Sequence, residues 1–160
     1  MGLIVPAFFL YAQTDTSITQ PPYRKFLSVP PFKLLRPDSS TVFTKADLKK
    51  NRPVLIMLFS PDCDHCRQET GEIIRHIDKF KKIQIIMSTT LPFSKMKQFH
   101  TEYSLDRFEN IITGRDMDYL LPVYYDIRNL PFLAFYDKKG KLIDVFEGVL
   151  PVEKILPKFE

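Results

Sequence analysis

Cysteine and histidine are scarce in this chain, and their scarcity narrows the chemistry open to it. The 160 residues hold two cysteines, Cys63 and Cys66, and three histidines, His65, His76 and His100. A structural zinc site takes four Cys or His ligands, and the chain has neither a second C-x-x-C nor an H-x₃₋₅-H pair. His65 lies between the two cysteines and is badly placed to share a tetrahedron with both, so no metal or other cofactor is expected. Glycine is also rare, at five residues, and forms no phosphate-cradling loop. With no RNA- or DNA-binding motif either, nucleotides and nucleic acids are not expected as partners. The net charge is +4, but lysine and arginine are interleaved with aspartate and glutamate. The densest basic groups, Lys45, Lys49, Lys50 and Arg52, then Lys79, Lys81 and Lys82, read as solvated faces, and the charge as a matter of solubility.

What is there centres on the two cysteines. They sit in Ser60-Pro61-Asp62-Cys63-Asp64-His65-Cys66-Arg67, directly after the apolar run Val54-Leu55-Ile56-Met57-Leu58-Phe59. A strand that ends in C-x-x-C and then opens a helix puts its first thiol at the helix N-terminus. Unpaired backbone N–H groups and the helix dipole stabilise a thiolate there. Two unrelated core thiols are the plainer reading, but Asp62, Asp64 and His65 make the turn too polar to bury cheaply. A redox-active dithiol is the expectation.

The amino end differs from the rest. Met1 to Ala12 carries an apolar stretch too short to span a bilayer as a helix, followed by the polar Gln13-Thr14-Asp15-Thr16-Ser17. It resembles the hydrophobic region of a secretory signal ending at Ala12, although no Lys or Arg precedes it. The other reading is an N-terminal strand packed on the domain. Residues 1–17 are expected to be a signal or disordered segment, residues 18–160 one domain, and the location extracytoplasmic, in the periplasm or cell envelope.

Along the domain, Phe32-Lys33-Leu34-Leu35 and Thr41-Val42-Phe43 flank the turn Pro37-Asp38-Ser39-Ser40 and predict a small hairpin. Thr44 is positioned to cap a short helix running to about Asn51. Cys66, Thr70, Ile73, Ile77 and Phe80 recur at helical spacing on one face. Ile83–Met87 reads as a buried strand and Pro92–Tyr103 as a helix, while residues 104–122 give no clear pattern. Pro131 opens an apolar strand, Asp137-Lys138-Lys139-Gly140 turns it, Lys141–Phe146 returns antiparallel, and a helix from about Pro151 to Phe159 closes the chain. The order is strand, helix, strand, helix, hairpin, helix, which implies a mixed central sheet flanked by helices.

With these residues in place, the chain resembles the thioredoxin superfamily, and within it the TlpA-like thiol:disulfide oxidoreductases, over roughly residues 30–159. The resemblance rests on Phe59 to Cys66, on Arg67-Gln68-Glu69 and on the strand-opening Pro131. It implies an α/β thioredoxin fold with an N-terminal hairpin extension, a cis Pro131 lying against the dithiol, and a Leu130 backbone that pairs with the substrate chain. The departures are specific. The chain has no Trp, so Asp62 stands where the family often has one before the first cysteine, and Met57 stands where many thioredoxins bury an acid. Glu69 matches a glutamate often found three residues after the second cysteine. It shares a helix face with Cys66 and is placed either to take that thiol's proton or simply to favour the helix dipole.

The resemblance implies Cys63 as nucleophile and Cys66 as resolving thiol. Protein thiols or disulfides are the implied partners, and a reducing partner protein restores the dithiol. A cationic His65 favours the Cys63 thiolate and Asp62 and Asp64 oppose it, so the redox poise is not readable from sequence. Reductase action is the leading expectation. Two others stand beside it: a peroxiredoxin-like peroxidase, suggested by Ser60-Pro61-Asp62-Cys63 but lacking that family's earlier proline at Ile56, and a non-catalytic thioredoxin-fold binding module.

Overall fold

The computed structural model describes residues 20–160. Helix α1 (Pro22–Lys25) precedes the strands β1 (Lys33–Leu35), β2 (Val42–Thr44) and β3 (Val54–Leu58). Helix α2 (Asp64–Arg75) then leads to β4 (Gln84–Thr89), α3 (Phe93–Glu102) to β5 (Ile111–Asp116), and α4 (Leu120–Tyr125) to the hairpin β6 (Phe132–Tyr136) and β7 (Leu142–Glu147). Helix α5 (Val152–Ile155) comes last and continues as a tighter turn through Phe159.

These strands form one mixed sheet in the order β2-β1-β5-β4-β3-β6-β7. Strands β3, β4 and β5 run parallel, and β6 lies antiparallel to β3. Every residue of β3, β4 and β6 is buried, because helices cover both faces of the sheet centre. One face packs Leu55, Met57, Ile85 and Met87 with Cys66, Ile73 and Phe99. The other packs Ile56, Leu58 and Ile86 with Leu34, Leu121 and Tyr125.

The predicted hairpin forms, and it does more than extend the fold: β1 pairs antiparallel with β5 and so joins the main sheet. The helix expected from Thr44 is only a short 3₁₀ turn, Lys45–Asp47, closed by a capping box between Thr44 and Asp47. Helix α2 ends at Arg75, so Ile77 and Phe80 fall in a following 3₁₀ turn, although Phe80 remains buried. The sequence pattern missed β5, inside the stretch without a clear period, and α4, which starts in that stretch and runs past its end to Tyr125. The amino-terminal segment, residues 1–17, lies outside the described residues. Among the described residues, no helix is long and apolar enough to cross a membrane.

Register fixes where the chemistry lies. Leu58, the last residue of β3, sits opposite Phe132, the first of β6, while Val54 sits opposite Tyr136. The turn after β3 and the residues before β6 therefore meet at one end of the sheet, the end that carries both cysteines and Pro131.

Candidate active site

Cys63 is the N-cap of α2: its backbone is extended, and its sulfur accepts a hydrogen bond from the Cys66 amide at 3.3 Å. A β-strand feeding a helix leaves that amide without an intrahelical partner, and here the side chain of Cys63 supplies one. The loop before it is held by its own backbone, with Cys63 N–H donating to Ser60 O at 3.1 Å and Arg67 N–H to Cys63 O at 3.0 Å. The two cysteines are free thiols of unequal exposure, Cys63 half-buried and Cys66 fully buried. Burial, reinforced by the adjacent Cys63 and Glu69, pushes the Cys66 thiol far above the ordinary thiol range. Cys66 thus stays protonated while Cys63 faces solvent.

The Leu130–Pro131 peptide bond is cis. The Leu130 carbonyl oxygen lies 3.9 Å from the Cys63 sulfur, and Gly148 N–H holds the Pro131 carbonyl at 2.7 Å. Leu130 is half-buried and touches both core clusters, so the backbone beside the thiol is fixed from both sides of the sheet.

Glu69 lies one helical turn beyond Cys66 and is fully buried. Its Oε2 accepts the Leu150 N–H at 2.9 Å, and its Oε1 has no partner among the described residues. Burial pushes this carboxyl up to about 7, against the opposing pull of the Leu150 hydrogen bond. Met57 is fully buried in the sheet among apolar neighbours. The buried carboxyl on this face thus comes from the helix, at Glu69.

Asp62, Asp64 and His65 are exposed on the turn and the first helical residues. Asp62 is ion-paired with Lys95 of α3. Sequence reasoning did not find Arg67 as a structural hub. Its guanidinium donates to Pro61 O at 3.1 Å, pairs with Glu102, and lies over the rings of Phe99 and Tyr103, while the Tyr103 hydroxyl donates to Arg67 O at 3.3 Å. Helix α3 thereby grips the active-site loop at Asp62 and Arg67. The signal for this is weak in sequence because the partners lie more than thirty residues apart. Among the described residues, no cluster of His, Cys, Asp and Glu is arranged to hold a metal ion.

The family model described as a thioredoxin-like domain matches residues 42–160. Solved structures share the fold. A secreted Mycobacterium tuberculosis disulfide oxidoreductase, homologous to E. coli DsbE, aligns at 17% identity over 80% of this chain and 93% of its own, with a TM-score of 0.66. DsbF from the same organism aligns at 19% identity over 82% and 96%, also with a TM-score of 0.66. StoA from Bacillus subtilis aligns at 14% identity over 83% and 99%, with a TM-score of 0.59. No curated protein matches the chain.

Proposed function

The chain belongs to the thioredoxin-like domain family, and on that premise we propose that it is a thiol:disulfide oxidoreductase that exchanges its Cys63–Cys66 dithiol with partner proteins, acting as a reductase. The observation that carries this reading is the placement of the Cys63 sulfur, at the start of α2, 3.3 Å from the Cys66 amide and 3.9 Å from Leu130 O beside a cis proline.

Cys63 is the nucleophile. Its thiolate attacks one sulfur of a partner disulfide; the partner's S–S bond breaks, a mixed disulfide forms, and the departing partner sulfur takes up a proton. Cys66 then loses its proton to Glu69 through one intervening water, since no direct hydrogen bond joins the two side chains, and attacks the Cys63 sulfur. The mixed disulfide breaks, the second partner thiol leaves, and the partner has gained two electrons that the Cys63–Cys66 pair has lost. A carboxyl near 7 is well matched to accept that proton at neutral pH. The neighbouring Cys63 helps to hold the Cys66 thiol up, so tying Cys63 into the mixed disulfide relieves part of that hold when Cys66 must ionise. The Leu130 backbone is the group positioned to pair with an extended partner segment, and Asp62, Asp64 and His65 are the exposed groups around the attacking sulfur.

The cycle closes when another thiol protein reduces the Cys63–Cys66 disulfide. The proposed location is extracytoplasmic, a reading supported by the secreted structural neighbour. The test is trapping: Cys66→Ser should accumulate a mixed disulfide with a reducible protein substrate, and Cys63→Ser should neither form one nor reduce the substrate. Full exchange activity in Cys63→Ser, or turnover of hydrogen peroxide in preference to protein disulfides, would sink the proposal.

A further inference from the structure

The two basic groups of the sequence, Lys49 to Arg52 and Lys79 to Lys82, lie about thirty residues apart along the chain. In the fold they meet. Val54 is level with Gln84 across β3 and β4 and with Tyr136 across β3 and β6, so the residues just before β3, just before β4 and just after β6 share one end of the sheet. That end is opposite the one bearing Cys63 and Pro131. The Lys49 amide donates to the Gln84 side chain at 2.6 Å, which fixes the first basic group against the start of β4.

Arg52, Lys79, Lys81, Lys82 and Lys138 there rim a cavity of about 810 Å³ whose apolar lining includes Ile83 and Phe159. Asp78 and Glu160 are the acids at the rim, and Asp78 is occupied by Lys81 at 2.7 Å. The cations outnumber the acids, and Lys49 and Lys50 add to the surplus alongside.

We propose that this pole docks on an anionic phospholipid surface, leaving the dithiol pole turned toward solvent and its partner proteins. Two features favour lipid over an acidic protein. The rim is four lysines to one arginine, and flexible point-charge ammonium groups suit a fluid headgroup layer, whereas fixed carboxylates are better met by the guanidinium fork. The rim also surrounds an apolar recess, which accepts the upper part of an acyl chain or glycerol backbone while the ammonium groups stay at headgroup level. The proposal stands independently of the redox reading.

The test is co-sedimentation with phosphatidylcholine vesicles, with and without about 30% phosphatidylglycerol, at about 0.02 M and about 0.5 M salt. The protein is expected to bind the anionic vesicles at low salt, release at high salt, and ignore the neutral ones. Combined Lys79→Glu, Lys81→Glu and Lys82→Glu substitution should lower the bound fraction about tenfold or more. An equal charge change elsewhere, Arg24→Glu with Lys33→Glu and Lys97→Glu, all exposed and away from that end of the sheet, should lower it far less. Circular dichroism and urea unfolding report whether each variant is folded. No binding to anionic vesicles, equal loss in the two triple variants, or capture by a polyglutamate peptide in place of vesicles would each overturn the proposal.

Discussion

The Leu150 amide donates to Oε2 of Glu69 at 2.9 Å and leaves Oε1 buried without a partner. Among the described residues a carboxylate so placed has one neutral donor and no cation to offset its burial, so the protonated form is favoured up to about pH 7. That arrangement makes the charge of Glu69 costly to the fold.

Glu69→Gln keeps an oxygen for the Leu150 amide but cannot accept a proton. Resolution of the mixed disulfide by Cys66 is expected to slow by about a hundredfold at pH 7, the usual scale for losing a general base, while the first attack by Cys63 changes little. Rapid-quench counting of mixed disulfide against released thiol separates the two steps. Equal rates in the variant and the parent would remove Glu69 from the mechanism.

Stability should carry the same signature. A carboxyl raised from 4.5 to about 7 in the folded state binds its proton more tightly than in the unfolded chain. It contributes fully below about pH 4.5, and that contribution is lost as pH rises to about 7, on the order of 3 kcal/mol. His100, lowered by burial, has the opposite slope, and Asp38, Asp47 and Asp137, all lowered by hydrogen bonds, act only at more acidic pH. The difference between parent and Glu69→Gln in urea unfolding at pH 5 and pH 8 isolates the Glu69 contribution. Glu69→Gln should be the more stable of the two at pH 8, and its advantage should shrink at pH 5.

The Arg67 grip makes a further prediction. One guanidinium meets Pro61 O, Glu102 and two aromatic rings at once, which a single ammonium group cannot do. Arg67→Met is expected to cost about 1 kcal/mol in urea unfolding, since the group is partly exposed and its ion pair alone is worth little. Arg67→Lys should recover less than half of that. Full recovery by lysine would mean that charge alone, and not the fork, holds the loop to α3.

The end of the fold that carries the two cysteines was legible because its signals are local. An apolar strand, a polar C-x-x-C turn and a 3.6-residue period lie in one continuous stretch, Val54 to Ile73, and each predicts its neighbour. Pro131 was legible from family resemblance, since no local rule distinguishes a cis proline from a trans one at a strand start. The grip of α3 on Asp62 and Arg67 was not legible, because it depends on which helix lies beside the loop. The convergence of the two lysine groups was likewise hidden, as it follows from the parallel pairing of β3 with β4.

Strand β5 was missed for a reason that can be tested. Its sequence, Ile111-Ile112-Thr113-Gly114-Arg115-Asp116, breaks the apolar run with a glycine and two charges. Gly114 is there because β1 crosses very close: a Cβ at this position would lie 2.7 Å from Leu34 Cβ and 3.0 Å from Leu35 O. Those atoms belong to the strand that joins the amino-terminal hairpin to the sheet, and neither is the free end of a flexible side chain. Gly114→Ala therefore has to push β1 away from β5 at the point where Leu34 is buried. The expected cost is about 1–3 kcal/mol in urea unfolding, with amide exchange speeding up first in residues 33–44. Because β5 is separated from β3 by β4, the reduction potential of the dithiol should stay at the parent value. A change in potential with no loss of stability would contradict this account of Gly114.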